Sequence, residues 1–371
     1  MDYIYHIPPF LYQPIYIYSV MILVVITYFR FAPSNGTQIL KHTPSISFPA
    51  LVLALALILL MGLRPGTKEF GDTSMYIHSY ENIINAYEWD EEWLWTNIAY
   101  FCKSIKLPTT AYLLVIDVIY IGTAFACCCI LMKRNVWIAF LFVASSFSFY
   151  SYGINGIRNG TSLHLLLLAI ALITQTKTSK IIGALLCIGA IGIHKSSILP
   201  IASLLCAIYV IKNPQKAINF WVASIFISLI AGNSIGEFFA SLGFDDRMGD
   251  YFNGQENAIT MRQFSHTGFR FDFLLYSAMP VLMTWYVTIK RKFNDRTFNI
   301  IAITYILANS FWIMVIRAAF SNRFAYLSWF LYPIVIAYPL LRFKIWNNQD
   351  KKTAIILLLY AGFTFLMYIR G

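Results

Sequence analysis

Charge is what this sequence has least of. Only 12% of its 371 residues are Asp, Glu, Lys or Arg, against about 25% in a soluble domain, and 58% are hydrophobic. That composition excludes an ordinary soluble globular protein. A spanning helix uses roughly 20 apolar residues, so a dozen spans with short connections consume the length and leave no room for a separate soluble domain. The expectation is all-α: one integral membrane domain over residues 1–371.

Other absences narrow the class further. There are six cysteines, and five of them (Cys127, Cys128, Cys129, Cys187 and Cys206) lie inside apolar runs. With only Cys102 outside such runs, no disulfide framework is implied. The C-C-C triplet fans around a helix and cannot form a tetrahedral metal site. No G-x-x-x-x-G-K-[ST] occurs, so no nucleotide machinery is visible. The residues before the first apolar run carry no basic n-region and no A-x-A site, and a cleaved signal peptide is not expected. Outer carboxylates show no ligand-like spacing beyond Asp245-Asp246; neither a metal nor a cofactor is expected.

What is present is a partition of the charge. Twelve apolar segments read as spans: 11–31, 46–63, 109–132, 136–153, 158–174, 180–194, 196–211, 217–239, 271–289, 298–317, 322–341 and 353–370. The gaps between them alternate in character. One set holds sixteen Lys and Arg against two acids, Asp295 and Asp350; the other holds twelve Lys and Arg against fourteen acids. By the positive-inside rule the first set faces the cytoplasm. The net charge of +11 is therefore a topology signal, and no nucleic-acid partner is expected.

The second set, placed outside, is chemically richer. It includes two long segments, 64–108 and 240–270. Asp72-Thr73 reads as a helix start with a capping oxygen. Residues 91–106 read as a helix lying at the interface, with Trp89, Trp93 and Trp95 at headgroup level. Eight of the twelve outer cations are Arg, but only five of the sixteen inner ones. Inside, charge suffices. Outside, the preference is for the planar fork that grips phosphate oxygens in bidentate fashion, as a lipid pyrophosphate would require. Arg64, Arg158, Lys195, Arg270, Arg317 and Arg323 fall at span ends on that face and outline a cationic cavity; headgroup snorkelling is the competing reading.

His194 sits in the tight break G-I-H-K-S-S between two spans. It is either a structural histidine or a general base for a sugar hydroxyl, with Asp72 as the acidic rival and His78 and His266 as weaker candidates. Asp117, in the middle of a span, either pairs with a polar neighbour or belongs to a transport path.

Four runs carry a family resemblance: L-R-P-G…G-D-T-x-x-Y from Leu63 to Tyr76, Y-G-I-N-G-I-R-N-G at 152–160, I-G-I-H-K-S-S-I-L-P at 191–200, and S-N-R-F-A-Y at 321–326. Their order and their placement on one face resemble the EpsG/Wzy-like polysaccharide polymerases. The resemblance implies a multi-pass enzyme of the bacterial inner membrane. Such an enzyme joins undecaprenyl-pyrophosphate-linked oligosaccharide repeat units, of O-antigen or capsule type, at the periplasmic face. It implies donor and acceptor glycans and membrane lipids as partners, leaves a chain-length regulator open, and carries over to Arg64, Asp72, Tyr76, Arg158, His194 and Arg323. His194 and Asp72 are then the expected catalytic residues; Arg64, Tyr76, Arg158, Lys195, Arg317 and Arg323 are the expected pyrophosphate or glycan contacts. The alternatives are a flippase or transporter, a membrane acyltransferase and a glycan ligase. Transporters of this size are often built from repeats around a midplane site, whereas here the halves differ and the midplane is almost uncharged. An acyltransferase calls for a histidine deeper in the membrane, and His164 is the one available.

Overall fold

The computed structural model describes residues 7–40, 47–83, 87, 89, 91–241, 269–317 and 321–370. Within them the fold is all-α, with no strand. In a membrane every backbone polar group has to be satisfied within the chain, and long apolar sequences meet that demand as helices. The elements are α1 Pro9–Phe31, α2 Phe48–Gly62, α3 Thr73–Glu81, α4 Trp93–Ser104, α5 Thr109–Met132, α6 Val136–Ala144, α7 Phe149–Ile154, α8 Ile157–Ile173, α9 Lys177–Ile193, α10 Ile198–Tyr209, α11 Pro214–Ser241, α12 Phe271–Thr284, α13 Arg296–Met314, α14 Ser321–Trp329, α15 Tyr332–Arg342 and α16 Gln349–Arg370.

Each of the twelve apolar segments carries helix. Seven stretches among the described residues are long and apolar enough to cross a membrane: Pro9–Phe31, Thr109–Met132, Pro214–Ala231, Phe271–Lys290, Arg296–Met314, Arg323–Arg342 and Gln349–Arg370. Shorter apolar helices lie at Phe48–Gly62, Ile157–Ile173 and Lys195–Tyr209. The segment expected at 136–153 is not continuous: it breaks at Ser145–Ser148 into α6 and α7. Much of the second long outer segment, from 242 to 268, lies outside the described residues.

The chain divides into two compact units, one of Met1–Lys195 with Ala337–Gly371 and one of Ser196–Ile336. In the first, α16 packs along α1. Buried Asp350 at its start accepts hydrogen bonds from Ser34 Oγ (2.7 Å) and from the backbone amides of Gln38 (2.8 Å) and Ile39 (2.9 Å). In the second unit, α10 and α11 pack on α13. There Trp221 Nε1 donates to Asn309 Oδ1 (2.7 Å), Asn309 Nδ2 to Ser328 Oγ (2.9 Å) and Trp329 Nε1 to Ser277 Oγ (2.7 Å). These buried polar groups pair across helices, as lipid surroundings require.

The α8–α9 hairpin positions the candidate site. Thr176 caps α9, its Oγ1 accepting from the Ser179 amide, and the link between the helices is three residues. Small residues bring the helices close. A Cβ on Gly183 would lie 2.8 Å from Ala169 O, and Ser162 Oγ donates to Ala190 O across the pair (2.7 Å). The helices run antiparallel, so the first turn of α8, with Arg158, and the end of α9, with His194, share one end of the hairpin.

Candidate functional site

A short helix completes that end. α4 begins at Trp93 with Glu92 in its N-cap position, and it packs against α9. Gly192 makes the approach possible: a Cβ there would meet Trp93 Cε2 at 2.6 Å. The packing brings the Glu92 carboxylate between two partners. Its Oε1 lies 2.5 Å from His194 Nδ1, and its Oε2 pairs with Arg158 Nη1. Beside it Lys195 Nζ pairs with Glu91 Oε2 at 2.7 Å. The Arg158 guanidinium also stands over the Tyr76 ring, 5.9 Å from its centroid, within cation–π range, and Tyr76 meets Trp95 edge to face at 5.3 Å.

The electrostatics follow from this packing. Burial pushes the Glu92 carboxyl pKa up, but the hydrogen bond from His194, the Arg158 charge and the Lys195 backbone amide outweigh burial and hold it below the usual carboxylate range. An ionised carboxylate only accepts, so His194 Nδ1 carries the hydrogen of this bond. Arg158 is about a third exposed; its Nε is buried without a hydrogen-bond partner among the described residues.

A second cluster supports the first. Arg64, just past α2, is fully buried. Its Nη1 donates to Asp117 Oδ2 in α5 (2.6 Å) and to Met61 O (2.5 Å), and its Nε to Thr73 Oγ1 (3.3 Å). Thr73 Oγ1 in turn donates to Ile154 O at the end of α7 (2.6 Å). Asp72 does stand at the start of α3, but its side chain makes no capping bond. Its backbone amide instead donates to Asn155 Oδ1 (2.8 Å). Asn155 lies against Gly71, whose φ of +58° is one that L side chains rarely adopt. These ties fix the α7–α8 junction immediately before Arg158.

Of the residues singled out from sequence, Tyr76, Arg158, His194 and Lys195 come together. Arg64 has no exposed surface, and of the two readings of Asp117 the structure shows the pairing, with Arg64 as its partner. Arg317, with its Nη2 3.3 Å from Leu229 O, and Arg323, in the first turns of α14, belong to the second unit. His164, deep in α8, stacks on Tyr120 with ring centroids 4.0 Å apart, and its Nδ1 lies 2.9 Å from Tyr120 O.

The EpsG family profile matches residues 47–371, nearly the whole chain and every residue of both clusters. The chain belongs to the EpsG family. No curated protein and no solved structure matches it. Membership points this EpsG protein toward a polysaccharide-polymerase-like, glycosyltransferase-like role in a membrane. Sequence reasoning missed Glu92 in this member of the family. The available signal was compositional: the acid pair Glu91-Glu92 opens an amphipathic stretch on the same predicted face as three cation-bearing breaks, and cations near lipid call for acids.

Proposed function

We propose that this EpsG protein is a polymerase that joins oligosaccharide repeat units carried on undecaprenyl pyrophosphate, at the outer face of the bacterial inner membrane. The observation that supports the reading is the meeting of Arg158, His194, Lys195 and Tyr76 at one end of the α8–α9 hairpin. A base and cations stand together there, on the face that the Lys/Arg partition assigns to the outside.

The chemistry runs as follows. The acceptor sugar's O–H bond breaks and its proton passes to His194 Nε2. The electron pair left on oxygen attacks the anomeric carbon of the donor, and the bond from that carbon to the pyrophosphate oxygen breaks with its electrons going to the pyrophosphate. Arg158 and Lys195 stabilise the charge that develops there. The donor arrives with its leaving group attached, so no nucleotide is consumed. Arg317 and Arg323 are proposed as further phosphate or glycan contacts, Tyr76 as support for Arg158, Arg64 as a buried brace, and Asp72 as the alternative base. A chain-length regulator is the proposed protein partner.

Deletion of the gene, followed by electrophoresis of the surface polysaccharide, tests this. The expected result is a single repeat unit on its anchor with no ladder. Complete loss of glycan would overturn the proposal in favour of a flippase.

A further inference from the structure

Glu92 is one carboxylate that serves two functional side chains, besides the Lys195 backbone amide. One oxygen holds the imidazole that would take a proton, and the other holds the guanidinium that would grip a phosphate. The two partners come from different helices, and Glu92 reaches them from a third. Its side chain is mostly buried while Arg158 is about a third exposed, so an incoming anion can reach Arg158 without displacing α4. Arg158 Nε, buried and without a partner among the described residues, shows that Glu92 does not use the whole fork.

We infer that Glu92 is a positioning residue that orients His194 and also stands in for the substrate's phosphate at Arg158 until the donor arrives. This rests on the polymerase reading. As donor, Nδ1–H keeps the ring in one tautomer, and the carboxylate stabilises the imidazolium formed when Nε2 takes the acceptor proton, as a carboxylate does behind any histidine base. At Arg158 the same carboxylate competes with the ligand. A donor pyrophosphate oxygen replaces Glu92 Oε2 on the guanidinium, and Glu92 keeps its bonds to His194 and the Lys195 amide. Binding the donor and readying the base become one event, with no covalent change at Glu92.

Two measurements on the purified full-length protein separate the parts. The first titrates wild type, Glu92→Gln and Arg158→Gln with undecaprenyl pyrophosphate. An amide competes for Arg158 far less well than a carboxylate, so Glu92→Gln should bind severalfold more tightly than wild type and Arg158→Gln more weakly. Equal or weaker binding by Glu92→Gln overturns the stand-in role.

The second measures turnover of single repeat units extracted on their lipid carrier from a strain deleted for this gene. Glu92→Gln should lose about 10²-fold in kcat, within the usual contribution of a general base, and Glu92→Asp should lose less. Combined with His194→Ala, Glu92→Gln should cost nothing more, because Glu92 acts through His194. A full additional loss in the double variant, or wild-type kcat in Glu92→Gln beside a crippled His194→Ala, overturns the orienting role alone. If His194→Ala turns over normally, the base assignment falls with it. If wild type binds the lipid but makes no polymer, the polymerase reading fails while the titration still judges the exchange at Arg158.

Discussion

Arg64 and Asp117 meet out of reach of solvent: Nη1 and Oδ2 lie 2.6 Å apart, and the two side chains are 0% and 1% exposed. The pair joins the end of α2 to the middle of α5 and, through Thr73, reaches the end of α7. Two buried charges in such a place hold each other at a heavy desolvation cost, and either one alone is worse.

Removing one partner should therefore be more damaging than removing both. Asp117→Ala leaves a buried guanidinium without its counter-charge and should cost about 3–5 kcal/mol of stability. Arg64→Met with Asp117→Leu should cost less than Asp117→Ala. Thermal unfolding of the purified variants in detergent measures this; a double variant less stable than Asp117→Ala would show that the two residues are not coupled in this way.

Arg158→Lys keeps the charge but loses the fork. One charge-assisted contact is worth about 1.5–3 kcal/mol, so turnover should fall roughly 10- to 150-fold. Polymer of wild-type length at normal protein levels would leave Arg158 with a packing role only.

The Glu92 carboxyl is held below the usual range in the folded protein, and that fixes the sign of a pH effect. The unfolded state binds the proton more readily, so the stabilisation is fully present above the unfolded pKa and disappears as pH falls through the lower folded value. The stability gap between wild type and Glu92→Gln should shrink as pH falls below the ordinary carboxylate range. Thermal melts across that acid range check it; a gap that widens as pH falls through the carboxylate range would have the wrong sign.

Gly192→Ala should force α4 away from α9. A Cβ would lie 2.6 Å from Trp93 Cε2, and overpacking of this kind costs about 1–3 kcal/mol. Activity should fall as well, because Glu92 is the residue before Trp93. Adding Trp93→Leu should recover stability; melts and turnover of the single and double variants decide the matter.

Reporter fusions test the charge partition. Those at Lys133, Lys177, Lys212 and Lys290 should report cytoplasm, and those at positions 85 and 255 the outside. A cytoplasmic signal at 255 would break the twelve-span scheme.

The helices were legible because lipid permits few alternatives. Span 109–132 matches α5 residue for residue, bounded by Pro108 before it and Lys133-Arg134 after it. The break inside 136–153 was not legible, since Ser145, Ser146 and Ser148 are too weakly polar to disturb an apolar window. The candidate site was half legible. Charge at span ends marked Arg158, His194 and Lys195, but Glu92 reaches partners 66 and 102 residues away, and no local period encodes such a pairing. Arg64 drew attention for the right property, a charge at a span end, yet only packing revealed that Asp117 holds it in the interior.

The separation of those partners along the chain also orders events during synthesis. Glu92 leaves the ribosome well before Arg158 and His194, so α4 is made before either helix end that it must bridge. Until the α8–α9 hairpin has entered the membrane and closed against α4, the imidazole has no carboxylate behind it. A partly inserted chain therefore holds the three members of this cluster apart.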